Sequence, residues 1–323
     1  MTKDKPICSL SLDLDNQWSY MKTHGDPGWE DFPSYLDIVV PRACEIFKRW
    51  DWTITFFVVG QDAALDKNRE ALGLITPSGH EVGNHSFHHE PWLHMQTRQQ
   101  TEEEIARAED SIEAATGVHT RGFRGPGYSF SRTTLENLLQ RNYLYDASTF
   151  PTFLGPLARA YYFLTSDFSE DEKQKRKNLF GGLRDGLRPV RPYLWDLGDE
   201  DLLEIPVTTM PLFKLPFHFS YLLYISTFSV ALSLLYFKTA LGLCRMTGTE
   251  PSLLLHPLDF LGGDDVSELA FFPAMKLESH RKLNLLDRFL GVLSSRYSVI
   301  TVGEHARELQ RTSLPKKLAP GDA

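Results

Sequence analysis

The sequence predicts an α/β protein built on a mostly parallel sheet, and three observations predict it. Segments of strand pattern alternate with segments of helix pattern, which is the order of successive βα units. The stretch "TITFFVVG" (53–60) is apolar almost throughout, as expected of a parallel strand covered on both faces. With 323 residues, 42% of them hydrophobic and 24% charged, the chain is long enough to bury the core such a sheet needs. The pattern leaves open whether the sheet stays open or closes into a barrel.

The elements follow in order. "ICSLSLDLD" (7–15) alternates apolar and polar side chains and reads as a first strand that ends in two acids. A Gly-, Pro- and aromatic-rich loop leads to "SYLDIVVPRACEIFKRW" (34–50), a helix that Pro41 kinks or divides. After the strand at 53–60, a helix through "DKNREALGLITPSG" leads to a short strand near "HEVGNH". Residues 96–117 form the clearest helix, with Thr101 and Glu104 spaced as a capping box and Gly117 at its end. Further strand signals lie at "TRGFRGP", "YLYDAS", "DLLEIPVT", "PSLLLHP" and "YSVITV".

No internal repeat appears, so the expected organisation is one domain over 1–310 and a flexible tail at 311–323. Two segments break the rhythm. Residues 150–200, containing "SEDEKQKRKN", read as a charged insertion, and 215–245 as an apolar helical arm. The arm opens with "LPFHFSYLLYISTFSVALSLLYF" (215–237), which holds no Asp, Glu, Lys or Arg.

Composition removes some functions. A net charge of −8 argues against nucleic acid as a partner, because a phosphate backbone selects basic faces. Cys8, Cys44 and Cys244 are widely spaced and odd in number, which favours a reducing compartment. The opening "MTKDKPICSLSLDLD" has no apolar h-region, so the expected location is cytoplasmic.

Four short stretches carry the chemistry. "EVGNHSFHHE" (81–90) places His85 and His89 four apart, on one face if that turn is helical. Two histidines and one carboxylate, with a position left for water, suit catalytic zinc and related divalent metals. Alone, the pair also fits a solvated helix. Asp13 and Asp15 stand at the expected carboxyl end of the first strand, where α/β sheets and barrels place their chemistry. Two apart on a strand, they share a face; they are compatible in one site if a metal neutralises one and the other acts as a base. Taken singly they also fit a strand-end turn. In "RGFRGPGYS" (121–129), Arg124 ends a short strand and Gly125-Pro126-Gly127 forces a bend, which equally describes an ordinary turn. Such a bend aims a backbone N–H at an oxyanion while the arginine holds a carboxylate ionised. In "LLLHPLDF" (253–260), His256 follows a buried-looking strand and suits a general acid, or else a core histidine.

The order strand–DxD, HSxxH, RxP-turn and LxHP, from Ile7 to about Val302, resembles the polysaccharide deacetylase family, the NodB-type carbohydrate esterases of family 4, in their divergent intracellular branch. The resemblance implies a distorted (β/α) barrel of about seven strands and a divalent metal, usually zinc. It implies Asp15, His85 and His89 as metal ligands and Asp13 as catalytic base, with Arg124 orienting Asp13. Gly127 would supply an oxyanion N–H and His256 would protonate the leaving amine. Tyr128, Trp195 and Arg191 are the expected substrate contacts. The sequence departs from the family in reading Asp-Leu-Asp for adjacent acids, Arg-Gly-Pro-Gly-Tyr for Arg-x-Pro-Tyr, and "LWDLG" where an Asp–Trp pair is usual.

The implied activity is removal of an N-acyl group from an amino sugar. The run 215–237 is long enough to raise the question of a membrane span. A crossing there would part His256 from Asp13, His85 and His89, so the expectation is a core helix pair, an oligomer interface or an apolar arm resting on a membrane surface. Phe217, Phe219, Tyr221 and Tyr224 fit an interface, and "KQKRK" (173–177) with Arg184, Arg188 and Arg191 would meet anionic lipid or a phosphate. These features point to a polyprenyl-phosphate-linked sugar at the inner face of the membrane. The alternatives are a soluble N-acetyl oligosaccharide, a non-sugar amide or ureide, and a non-catalytic glycolipid-binding barrel.

Overall fold

The computed structural model describes residues 5–155 and 185–320, built around a ten-stranded sheet. The strands are β1 (Ile7–Asp13), β2 (Thr55–Val58), β3 (Glu81–Asn84), β4 (Gly122–Phe123), β5 (Tyr145–Asp146), β6 (Tyr193–Asp196), β7 (Asp201–Glu204), β8 (Ser252–Leu255), β9 (Ser298–Ile300) and β10 (Lys316–Leu318). Their order is β10-β6-β7-β5-β4-β3-β2-β1-β8, and β9 pairs with the start of β1. From β8 to β7 every pairing is parallel. This run of seven strands matches the expected barrel wall, while β9, β6 and β10 add to it. The end strands β8 and β10 do not pair among the described residues, so hydrogen bonds do not close the ring.

Two strands lie where the sequence pattern does not announce them. β6 falls within the segment read as an insertion; its aromatic "YLWD" turns back antiparallel onto β7. β10 falls within the expected tail and pairs with β6, so residues 316–318 are anchored rather than free. The basic run 173–177 and Arg184 lie outside the described residues.

The helices are α1 (Gln17–His24), α2 (Leu36–Trp50), α3 (Gly60–Ala63), α4 (Arg69–Leu72), α5 (Arg98–Thr116), α6 (Arg132–Gln140), α7 (Phe219–Phe228), α8 (Val230–Thr247), α9 (Ser279–Ser294) and α10 (Val302–Leu309). Pro41 sits inside one continuous α2, which buries Val39, Val40, Ala43, Ile46 and Phe47 against the main core. That burial outweighs the one internal hydrogen bond a proline removes. The helix expected through "DKNREALGLITPSG" shrinks to a short 3-10 turn and the four residues of α4, because Gly73, Pro77 and Gly79 stop it. α5 starts one turn before the Thr101–Glu104 spacing places it. Thr97 and Gln100 make the reciprocal cap instead, which frees Glu104 for another task.

α7 and α8 form the apolar arm, joined at Ser229, whose hydroxyl accepts from Leu232 N–H and caps α8. The buried side of α8, with Phe237, Ala240, Leu241 and Cys244, belongs to the main core. By length and composition alone α8 could cross a membrane, but this packing holds it against the protein.

In a parallel sheet all carboxyl ends lie on one edge, and register decides which residues meet there. Asp13 pairs with Phe57 and Leu12 with Leu255; Val58 pairs with Asn84, and Asn84 with Phe123. Asp13, His85, Arg124 and His256 therefore leave four strands at one level.

Candidate active site

The loop after β3 is not helical, so the HxxxH spacing works differently from the expected helical face. Ser86 (φ 59°) and His89 (φ 54°) are both left-handed, a costly conformation for side-chain-bearing residues. Surrounding bonds hold the loop there. Asn84 Oδ1 accepts from Ser86 N–H at 2.8 Å, and the Ser86 and Phe87 carbonyls accept from Gly60 and Gln61 N–H, each at 2.9 Å. Glu104 accepts from Phe87 N–H at 3.1 Å and His88 N–H at 2.9 Å, and it also pairs with the His88 ring. His88 is thus a clasp for the loop.

The loop turns both imidazoles onto one carboxylate. His85 Nε2 and His89 Nε2 lie 3.2 and 2.9 Å from the same Oδ1 of Asp15. His85 Nδ1 donates to the Arg124 carbonyl at 2.6 Å, which fixes its tautomer and leaves Nε2 facing Asp15. The three side chains each offer a donor atom, all within 4.8 Å of one another. Burial works to raise the Asp15 pKa, but His89 and His85 beside it hold the carboxyl well below its usual range. Burial likewise opposes a charged His85, yet Asp15 and Asp13 raise its pKa. The buried Nδ1 of His89 has no partner among the described residues. Two imidazoles and a carboxylate, one imidazole steadied through its far nitrogen, are a donor set that fits a divalent ion.

Beside this cluster lies Asp13, buried and paired with Arg124. Arg124 Nη1 donates to Asp13 Oδ1 at 2.6 Å and to Ser11 Oγ at 2.7 Å, while Nε donates to the Ala147 carbonyl at 3.0 Å. Its guanidinium lies 4.3 Å over the Phe57 ring. Arg124 is completely buried, so this charge pair is held in one geometry. Next to it the bend runs through Gly127 (φ 58°) and Tyr128 (φ 61°). Tyr128 N–H is used within the turn, on Gly125 carbonyl; Gly127 N–H has no partner among the described residues. Tyr128 stacks on Phe150 at 4.7 Å, and burial together with Asp13 raises its phenol pKa.

A third corner surrounds His256. Its Nδ1 lies 3.0 Å from Ser220 Oγ, and its backbone N–H donates to Asp259 Oδ2 at 2.9 Å. Buried His218 stands 5.5 Å from the His256 ring and 4.6 Å from Tyr221. Burial, His256 and Arg124 lower its pKa well below the usual value, so it is neutral. Tyr20 feels Asp15, Asp259 and Asp13 together, which ties this corner to the other two.

Two expected substrate contacts are elsewhere. Trp195 is 3% exposed; its indole N–H donates to Glu204 at 3.0 Å inside a core cluster, so it has no face to offer a sugar. Arg191 reaches Thr249 at the end of α8 and touches none of the site residues. Sequence reasoning missed His218 and Ser220, although His218 is the one histidine in the uncharged run 215–237. It also missed Asp62, just beyond β2, which accepts from Asn16 Nδ2 at 2.7 Å and Trp18 Nε1 at 2.9 Å. Burial raises the Asp62 pKa to about 7. The carboxyl pair Asp146 and Glu204, at the ends of β5 and β7, was unforeseen too. Burial and then mutual repulsion push Glu204 up, and burial pushes Asp146 up to about 6.

Comparison with known proteins agrees with this layout. Residues 28–145 match the family model described as polysaccharide deacetylase, a span that includes His85, His89, Arg124, Gly127 and Tyr128. A peptidoglycan deacetylase of Helicobacter pylori is 29% identical over 206 residues, 60% of this chain and 67% of that protein. A peptidoglycan-N-acetylmuramic acid deacetylase of Bacillus subtilis is 29% identical over 110 residues, 34% of this chain and 41% of that protein. In fold the chain is similar to a Mycobacterium smegmatis crystal structure assigned as a polysaccharide deacetylase. The TM-score is 0.64 at 18% identity, covering 100% of this chain and 97% of that one.

Proposed function

We propose that the chain, whose residues 28–145 match the polysaccharide deacetylase family, is a divalent-metal-dependent hydrolase removing the N-acetyl group from an amino sugar. One observation carries the reading: Asp15, His85 and His89 converge beside the buried Asp13–Arg124 pair. With two histidines and one carboxylate, zinc is the ion of first choice. Bound there, such an ion would supply Lewis acidity toward a carbonyl and would lower the pKa of water. Asp13 takes the proton of the attacking water, aimed by Arg124. The Gly127 N–H, which has no partner among the described residues, is the donor for the oxyanion. His256, held through Nδ1 by Ser220, keeps Nε2 for the proton that the leaving amine needs.

The uncovered apolar arm favours an amino sugar carried on a polyprenyl phosphate. A second reading, a polymeric cell-wall glycan, draws on the printed activities of the Helicobacter and Bacillus relatives. Mass-spectrometric detection of deacylation decides between them. The metal-loaded protein is offered a polyprenyl-phosphate-linked N-acetylhexosamine, a chitooligosaccharide and a peptidoglycan fragment, each with and without chelator. Asp15→Ala and His85→Ala are expected to lower bound metal, and Asp13→Asn to keep metal and lose turnover. Full activity in Asp13→Asn would end the base assignment, and chelator-insensitive turnover would end the metal reading.

A further inference from the structure

We propose that the exposed face of the α7–α8 hairpin docks on an anionic lipid bilayer, with a cluster of cations at its edge taking lipid phosphate. The face follows from the helix period. Leu232, Leu235, Thr239, Gly242 and Met246 recur at three- and four-residue spacing and so form one stripe of α8, opposite the stripe buried in the core. Leu232 is 56% exposed, Leu235 60% and Met246 83%, and Phe228 at the hairpin turn is 74% exposed. Single exposed apolar residues are ordinary on a protein surface, whereas an aligned row marks a contact face.

Charge identifies the occupant. Residues 219–247 include Lys238 and Arg245 and no acid, in a chain whose net charge is −8. On the helix Lys238 and Arg245 fall together along one edge of the exposed stripe. Lys238 also lines a groove of about 510 Å³ between α8 and α9, with Leu234, Arg288 and Arg296. None of these four cations forms an ion pair among the described residues. The single acid of α9, Asp287, is turned away to accept from the Trp50 indole at 3.1 Å. An apolar stripe whose one hydroxyl, that of Thr239, donates back to the Leu235 carbonyl at 2.8 Å, edged by long cationic side chains, is the arrangement of a helix lying in the plane of a bilayer surface. A second copy packed on this face would meet the cations with no acid of its own.

The same hairpin reaches the active site. His218 and Ser220 lie at the start of α7, against His256. α7 is ten residues long, which spans about 15 Å. Docking would therefore hold the site close to the lipid surface. That consequence rests on the lipid-linked reading above, but vesicle binding does not.

The test is co-sedimentation of the full chain with phosphatidylcholine vesicles and with phosphatidylglycerol-rich vesicles. Binding to the anionic vesicles is expected to be at least about tenfold stronger and to weaken with added salt. Leu232→Ser with Leu235→Ser, and separately Lys238→Glu with Arg288→Glu, should each lower partitioning about tenfold or more. Light scattering should report the same monomer for the wild type and both variants. Unchanged partitioning of both variants, or an oligomer that the leucine pair dissolves, overturns the proposal. Deacylation of the polyprenyl-linked sugar, the chitooligosaccharide and the peptidoglycan fragment, run beside it, separates the two claims. Vesicle binding with none of the three deacylated leaves docking standing and removes the enzymatic reading, and deacylation of any of them without vesicle binding does the reverse.

Discussion

Glu104→Ala should loosen the loop that carries both histidines of the candidate metal centre. That loop holds two left-handed non-glycine residues, each costing roughly 1–3 kcal/mol. Glu104 opposes the strain by accepting two backbone N–H groups and the His88 ring. Bonds to a charged acceptor contribute about 1.5–3 kcal/mol each. Water can replace part of this beside His88, whose side chain is 44% exposed, so the lower end applies, about 3 kcal/mol for the two backbone bonds. For 323 residues at ~2.1 cal/mol/K each, unfolding entropy is ~0.7 kcal/mol/K, and the melting temperature should fall by about 4–5 °C. Metal affinity by calorimetric titration should drop about tenfold or more, because the loop that carries both ligating histidines is no longer held.

The effect carries a pH signature. Burial acts to raise the Glu104 pKa, but the His88 ring and the two backbone donors lower it overall. A depressed pKa gives stability that is present above the unfolded value, near 4.3, and lost as pH falls through the folded one. The gap between wild type and Glu104→Ala should therefore close in acid. A shift under about 1 °C at neutral pH, with metal affinity unchanged, would refute the clasp.

Ser220→Ala should lower kcat about tenfold with little change in KM, because the His256 ring loses the partner at Nδ1; Ser220→Thr should restore it, and an equal loss in both variants would remove Ser220 from any positioning role. Asp62→Asn should flatten the dependence of stability on pH between about 4 and 7. The raised Asp62 pKa makes its contribution fullest below about 3.9 and progressively lost as pH rises through about 7, a slope of up to about 1.4 kcal/mol per unit. Denaturant midpoints at pH 5 and pH 8 measure it, and parallel curves for the two proteins would contradict it. Trp195→Phe should cost about 1–2 kcal/mol of stability, because Glu204 Oε2 loses its indole donor while Oε1 keeps Thr149, and leave KM for any sugar untouched; a raised KM would return Trp195 to the substrate.

Much of the site was legible before any coordinates. Asp13, Asp15, His85, His89, Arg124 and His256 all stand next to strand-like runs, and a parallel sheet puts the ends of such runs on one edge. The seven parallel strands and the helix at 98–116 were legible for the same reason, since period and residue type are written locally. His218 and Ser220 were hidden because an apolar run masks the polar residues within it. Trp195 was expected at the substrate because the resemblance calls for a tryptophan beside an aspartate, whereas the pairing of β6 with β7 buries it.

The sequence by itself determined which chemical groups exist and on which strand ends they ride. Only the tertiary structure decided which of them touch. Arg124 and Asp13 are separated by 111 residues and meet because the register of three intervening pairings brings their strands level. His85 and His89 face one oxygen of Asp15 because Asn84, Glu104 and the residues following β2 hold two backbone positions in a conformation no helical or strand period encodes. Whether α8 kept an uncovered apolar face was likewise settled by what packed on its other side. Local propensity acts over a few residues, whereas contact and burial depend on the whole chain closing on itself.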